Sequence, residues 1–255
     1  MMFDGWKVLV TGASRGIGAA CVRALLDGGA HVALVGRHQR GLAEAAAGSS
    51  RAAVVTADLA DADARASAVD GAVAGLGGLD ALVLAAGVAM HTPFEALTES
   101  AFRRQLELNL LAPLMMVQQA LPHLRAGRGS VVFVGSTLAD RPAPTTTAYA
   151  ASKAGLHNAT RQLAAELAPV RVNCVSPGVV DTAMTRAVRL LPGESMPEGA
   201  ELEARVEGQL EALRSLHPLE RLGTPEEIAA AVLHLLAAEW TTGSILTVDG
   251  GLTAR

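Results

Sequence analysis

The sequence has little that is aromatic, 3% of 255 residues, and Tyr149 is its sole tyrosine. Its two cysteines, Cys21 and Cys174, lie far apart, so neither a disulfide framework nor a metal-ligand spacing is visible. No apolar run approaches the roughly 18 residues of a membrane-spanning helix. No basic run stands out in a chain of net charge −4, which argues against a nucleic acid partner. The first residues, Met1-Met2-Phe3-Asp4-Gly5-Trp6-Lys7, lack a basic stretch followed by an apolar one, so no signal peptide is expected. These absences lead to the expectation of a cytoplasmic protein without membrane contact. Low-complexity linkers and repeats are missing too, which favours a single domain over residues 1–255.

What is there is apolar and periodic. Hydrophobic residues make up 50% of the chain and charged ones 18%. Short, nearly continuous apolar runs predict strands at Lys7–Val10, Val32–Val35, Ala53–Thr56, Ala81–Ala85, Ser130–Val134, Arg171–Val175 and Ile245–Val248. Between them, helical patterns cover Gly16–Leu26, Arg40–Ala46, Ala62–Ala74, Ser100–Arg125, Tyr149–Leu167 and Pro225–Ala237. Thr224-Pro225-Glu226-Glu227 is a good helix start, with a capping hydroxyl, proline at the first position and acids in the first turn. The alternation predicts an α/β fold: one doubly wound parallel sheet of about seven strands, with helices on both faces.

Tyr149 and Lys153 stand four residues apart on a predicted helix, hence on one face. A phenol, with a reference pKa of about 10, is a poor acid or base at neutral pH. A neighbouring ammonium favours the phenolate and so lowers that value, which would suit proton exchange with a substrate oxygen. The spacing alone also fits an ordinary surface pair. The first strand runs into Thr11-Gly12-Ala13-Ser14-Arg15-Gly16-Ile17-Gly18 and then an apolar helix. Such a turn lets backbone approach a pyrophosphate at a helix N-terminus. No acid occurs from Gly28 to Ala43, where a ribose hydroxyl would be held, while Arg37 and Arg40 do, with Arg15 in the turn. That balance points to NADPH over NADH, with NAD possible, since arginine pairs with a 2′-phosphate. Asp58, followed by Leu59, could accept from an adenine amino group, or an acid of Asp58–Asp61 could cap the next helix.

Taken in order, these motifs resemble the short-chain dehydrogenase/reductase family over essentially the whole chain, in particular its 3-oxoacyl-carrier-protein reductase-like members. The resemblance rests on Thr11–Gly18, on Asn109 before Leu110-Leu111-Ala112-Pro113, on Ser136 after the fifth strand, and on Tyr149 and Lys153. Pro177-Gly178-Val179-Val180-Asp181-Thr182, Arg221–Ile228 and Val248-Asp249-Gly250-Gly251 add to it. It implies that Ser136 orients a carbonyl oxygen and that Tyr149 is general acid or base. It implies that Lys153 lowers the Tyr149 pKa and binds the nicotinamide ribose, and that Asn109 kinks its helix and holds a water for proton exchange. It further implies cofactor contacts at Gly12, Ser14, Arg15, Gly16, Ile17, Gly18, Arg37, Asp58, Leu59, Ala86, Gly87, Pro177, Gly178, Val180 and Thr182, besides Tyr149 and Lys153. The fourth strand departs from the family's Asn-Asn-Ala-Gly: here it reads Leu84-Ala85-Ala86-Gly87. The missing asparagine, at Ala85, implies a modest loss of local rigidity. A homotetramer or homodimer through the helices around Ser100–Arg125 and Tyr149–Leu167 is also implied.

Substrate choice falls to Val88, Met90, His91, Leu138, Ala139, Met184, Val188 and Leu191, a mostly apolar set that suits a small-molecule carbonyl or alcohol. Residues 184–216 read as an insertion, either a substrate lid or a surface excursion. Leu202, Val206, Leu210 and Leu213 follow helical spacing within it. His91, Arg186 and Arg189 could contact a polar or anionic group, or be solvated.

Overall fold

A computed structural model describes residues 1–189 and 194–254. Its strands are β1 (Lys7–Thr11), β2 (His31–Gly36), β3 (Ala52–Thr56), β4 (Ala81–Leu84), β5 (Ser130–Val134), β6 (Arg171–Pro177) and β7 (Ile245–Val248). The helices are α1 (Gly16–Asp27), α2 (Gln39–Ala46), α3 (Ala62–Leu76), α4 (Glu99–Leu106), α5 (Ala112–Ala126), α6 (Thr147–Glu166), α7 (Ala183–Arg186), α8 (Gly199–Arg214) and α9 (Pro225–Ala237). The strands form one parallel seven-stranded sheet in the order β3-β2-β1-β4-β5-β6-β7.

Strand alternation divides the core. Val8, Val10, Val32, Leu34, Ala81 and Val83 point to the layer of α1 and α9. Leu9, Ala33, Val35, Leu82, Leu84 and Phe133 point to that of α3, α5 and α6. Both faces are covered, which is why these strands read as continuous apolar runs. The chain order reverses between β1 and β4, where Thr11 pairs with Leu84. A crevice opens at the carboxyl ends of strands at such a switch point.

The predicted helix Ser100–Arg125 is not continuous. Residues Glu107–Leu111 form a π turn between α4 and α5, and the Ala112 N–H bonds the carbonyl of Glu107. Proline explains the slip. Pro113 has no N–H to give to the carbonyl of Asn109 four residues earlier, and its ring crowds that carbonyl. The π turn therefore contains Asn109. The start of α9 is as expected: Thr224 Oγ1 accepts from Glu227 N at 3.2 Å, and Glu227 Oε2 accepts from Thr224 N at 2.8 Å.

The region 184–216 folds partly on itself. Leu210 and Leu213 of α8 pack with Leu222, Val179 and Val206 in a small core apart from the sheet layers. Gln209 Nε2 donates to the carbonyls of Thr185 and Ala187 at 2.7 and 3.1 Å, tying α8 to α7. Leu191 and the dipeptide Pro192-Gly193 lie outside the described residues.

Candidate active site

A groove follows the carboxyl ends of β1, β2, β3 and β4. Gly12 (φ +63°) lies where a Cβ would press the backbone of Ala85 at 3.0 Å. At Gly18 a Cβ would collide with the Gly12 carbonyl. Glycine at both points lets turn and helix close up on the sheet. Arg15 precedes α1 without a side-chain cap, so the first-turn N–H groups are free to meet an anion. The groove is lined by Gly12, Ser14, Arg15, Gly16, Ile17 and Gly18, by Arg37 and His38, by Asp58 and Leu59, by Ala85, Ala86 and Gly87, and by Thr182 and Met184. Free amide donors, basic side chains past β2 and glycine where backbone approaches fit a phosphate-bearing dinucleotide.

Several candidates lie elsewhere. Arg40 turns away and pairs with Glu44 one helical turn on, at 2.9 Å, so Arg15 and Arg37 are the arginines of the groove. Asp61, not Asp58, caps α3, its Oδ1 accepting from Ala64 N at 2.8 Å. Pro177 ends β6, Val180 is buried and its strand-like backbone bridges to Gly223, and Gly178 faces a second cavity. Sequence reasoning passed over His38, Ala57 and Leu108, which also line the groove. Where alanine stands at position 85, Thr11 supplies a tie between strand ends: its Oγ1 accepts from Ala86 N at 3.1 Å.

The four polar candidates converge next to Gly87. Ser136 follows β5 and is buried. Its Oγ accepts from Leu138 N at 3.2 Å, which fixes the hydroxyl at the start of a tight turn, Thr137–Ala139. Tyr149 and Lys153 lie on successive turns of α6. The Lys153 ammonium sits 5.7 Å from the centre of the Tyr149 ring and donates to the Val134 carbonyl at 2.7 Å. Asn109 Oδ1 accepts from Val88 N, and its Nδ2 donates to Val88 O, both at 2.9 Å. Nδ2 also reaches Ser152 Oγ at 3.1 Å, and that hydroxyl donates to the Tyr149 carbonyl at 2.6 Å. The Asn109 side chain thus ties the loop after β4 to the turn of α6 that carries Tyr149.

The electrostatics differ from the sequence expectation in one respect. Burial pushes the Tyr149 phenol above its ordinary value, and a hydrogen bond from Ser136 offsets only part of this. The Lys153 ammonium faces the ring and the Val134 carbonyl. Burial pulls Lys153 itself down from 10.5 to about 8. The pair therefore presents a protonated phenol next to an amine that titrates close to neutrality.

Ser136 also lines a cavity of about 510 Å³ with His91, Leu138, Arg141, Val179, Arg189, Leu213, Leu216 and Leu252 among its walls. His91 and Leu138 were expected there. Met184 lies in the groove instead, and Val88, Met90, Ala139 and Val188 do not line the cavity. Arg186 is taken by Asp181 in a two-pronged ion pair at 2.6 and 2.7 Å. Arg141 carried no sequence signal, since nothing in its local pattern marks it. Behind Ser136, buried His157 packs so close to Gly135 that a Cβ there would lie 2.6 Å from its Nε2.

A family model described as enoyl-(acyl carrier protein) reductase matches residues 12–253. The chain is 37% identical over 256 residues to cis-4-hydroxycyclohexanecarboxylate dehydrogenase of Sinomonas cyclohexanicum, covering 96% of each protein. It is 37% identical to galactitol 2-dehydrogenase (L-tagatose-forming) of Cereibacter sphaeroides, covering 98% of this chain and 96% of that one. A short-chain dehydrogenase/reductase of Caenorhabditis elegans, solved with cofactor, superposes with a TM-score of 0.88 at 29% identity, over 100% of this chain and 97% of that one.

Proposed function

The chain belongs to the short-chain dehydrogenase/reductase family, and from that premise we propose that it is an NADP(H)-dependent oxidoreductase interconverting a ketone, or a 3-oxoacyl compound, and a secondary alcohol. Membership makes it an enzyme acting on CH–OH groups with NAD(P). The observation that carries the finer reading is the meeting of Ser136, Tyr149 and Lys153, with Ser136 in the wall of the cavity.

Bound in the groove, the nicotinamide cofactor supplies or accepts the hydride. The residues of the chain handle the oxygen. Ser136 donates a hydrogen bond to the carbonyl and orients it. Tyr149 gives its phenolic proton to that oxygen in reduction and takes it back in oxidation. Its raised pKa keeps the proton on at neutral pH, which favours the reducing role. Lys153, when charged, stabilises negative charge developing at the oxygen and the phenol. Pro113 offers no N–H to the Asn109 carbonyl, which would serve as the acceptor of a water for proton exchange. Arg37, with Arg15 nearby, supports NADPH through its 2′-phosphate.

The remaining finer features belong to the same proposal. Residues 1–255 act as one catalytic domain, residues 184–216 form a lid over the cavity, and the assembly is a homotetramer or homodimer through α4, α5 and α6. A second reading, NAD-dependent alcohol oxidation, is favoured by the dehydrogenase names of the relatives. A panel of ketones, 3-oxoacyl thioesters, enoyl thioesters and secondary alcohols, run with NADPH and NADH, tests all of these. Reduction of ketones with NADPH preferred is expected. Tighter binding of NADH overturns the arginine argument, and turnover of the enoyl thioester alone overturns the carbonyl reading.

A further inference from the structure

The wall of the cavity next to Ser136 has an unusual charge balance for a chain of net charge −4. Among the described residues its lining holds two arginines, Arg141 and Arg189, and neither aspartate nor glutamate. Neither guanidinium makes an ion pair with a described residue. The acids close by in sequence are engaged. Asp181 holds Arg186, and Asp140 lies 3.1 Å from the Nδ1 of His157. The two arginines arrive from separate segments, Arg141 from the loop that begins with Ser136 and Arg189 from the stretch after α7. Such convergence is not a helical surface pair. It puts two cations in the lining of one cavity, together with apolar side chains such as Leu213 and Leu252.

The surroundings make this costly unless something balances it. Burial alone pulls the Arg189 guanidinium below its ordinary value, so no described acid offsets its desolvation. The same burial, with Arg189 close by, brings His91 down to about 4, so the imidazole is neutral and adds no charge. Its Nδ1 is buried without a hydrogen-bond partner. Arg189 is exposed and so open to a ligand, yet it has lost part of its hydration, and a guanidinium takes carboxylate or phosphate oxygens two at a time.

We propose that the substrate carries an anionic group, a carboxylate or a phosphate, held by Arg141 and Arg189 while its carbonyl or alcohol carbon lies at Ser136 and Tyr149. His91 then supplies a neutral polar contact on the same wall. The apolar side chains accommodate the carbon skeleton between the two ends. This rests on the carbonyl–alcohol reading of the site and specifies its substrate class.

The test compares matched substrates with NADPH. The keto acids 4-oxopentanoate and 7-oxooctanoate are set against their amides, and dihydroxyacetone phosphate against dihydroxyacetone. A carboxylate preference appears in the first pairs and a phosphate preference in the second. The anionic member is expected to show at least about tenfold higher kcat/KM, carried by KM. In Arg141→Gln and Arg189→Gln that ratio should fall towards one, and the lysine variants should recover part of it. A ratio near one in the unmodified enzyme, or a ratio that both glutamine variants leave intact, overturns the proposal. Calorimetric binding of octanoate against octanamide separates the two readings. If no ketone is reduced yet octanoate binds preferentially and Arg189→Gln abolishes the preference, the anion site stands and the carbonyl reading fails. If ketones are reduced and neither anion is preferred, the reverse holds.

Discussion

The groove past the ends of β1 to β4 and the cavity beside Ser136 are built in opposite ways. The groove is made of backbone. Its floor is a run of adjacent residues, Gly12–Gly18, and its tolerances are set by Cβ atoms that must be missing. The cavity is made of side chains from the loop after β4, the loop after β5, α8 and the C-terminal segment. A pyrophosphate asks for N–H donors at fixed spacing, which a short local motif provides. A substrate asks for shape and charge at particular points, which distant segments provide by packing. Even the arginines reflect this. Arg37 was found from its place past β2, while Arg141 emerged only from its neighbours in space.

The largest effect is expected at Tyr149. Tyr149→Phe removes the proposed proton donor, and turnover should fall by roughly a thousandfold. Cofactor affinity, read by fluorescence titration, should hardly change. Near-normal turnover would show that the proton comes from some other group.

At the groove, Gly18→Ala forces a Cβ into the Gly12 carbonyl. Backbone must shift, and strain of about 1–3 kcal/mol should weaken NADPH binding roughly ten- to hundredfold. An alanine variant that binds NADPH normally would mean that the turn is not held by close packing. Arg37→Gln, by contrast, leaves backbone intact. It should cost about tenfold in NADPH affinity with little effect on NADH. Arg40→Gln is the matching control, since Arg40 pairs with Glu44, and no change in cofactor preference is expected.

The smallest effect concerns Lys153 and has a pH signature. Below about pH 8 the folded and unfolded chains both carry the ammonium, and the folded state bears the whole cost of burying it. Between about 8 and 10.5 the unfolded chain holds the proton more tightly, so stability rises with pH; above 10.5 the cost is gone. Lys153→Met should therefore raise stability at pH 7 by about 1–3 kcal/mol, while activity falls. Ketone reduction by the unmodified enzyme should decline as pH rises through about 8, where Lys153 loses its charge. Denaturant melts at pH 7 and 9.5, with a pH profile of kcat/KM, check both. Equal stability of the two proteins at pH 7 would mean that the Val134 carbonyl repays the burial of the ammonium.

Much of the architecture was legible because it depends on local pattern. Continuous apolar runs marked strands covered on both faces, and the Thr224 start of α9 was read from four residues. The break at Glu107–Leu111 was legible in principle, since Pro113 denies a donor to Asn109, but helical periodicity on either side concealed it. The direction of the Tyr149 shift was not legible. Spacing put Lys153 on the right face, and only the packed site revealed that its ammonium points at the ring and the Val134 carbonyl. The fate of Arg186 was hidden in the same way, because its partner Asp181 competes with any ligand.

The family resemblance supplied the Ser136, Tyr149 and Lys153 set; by itself the sequence determined the parallel sheet and the glycine turn with its helix. Each depends on a residue's type and its spacing to near neighbours, which chain order fixes. Tertiary structure alone decided which arginines stay unpaired, how burial displaces the Tyr149 and Lys153 protons, and what walls the cavity. Desolvation and ion pairing depend on every group within a few ångströms, and those groups come from segments far apart along the chain.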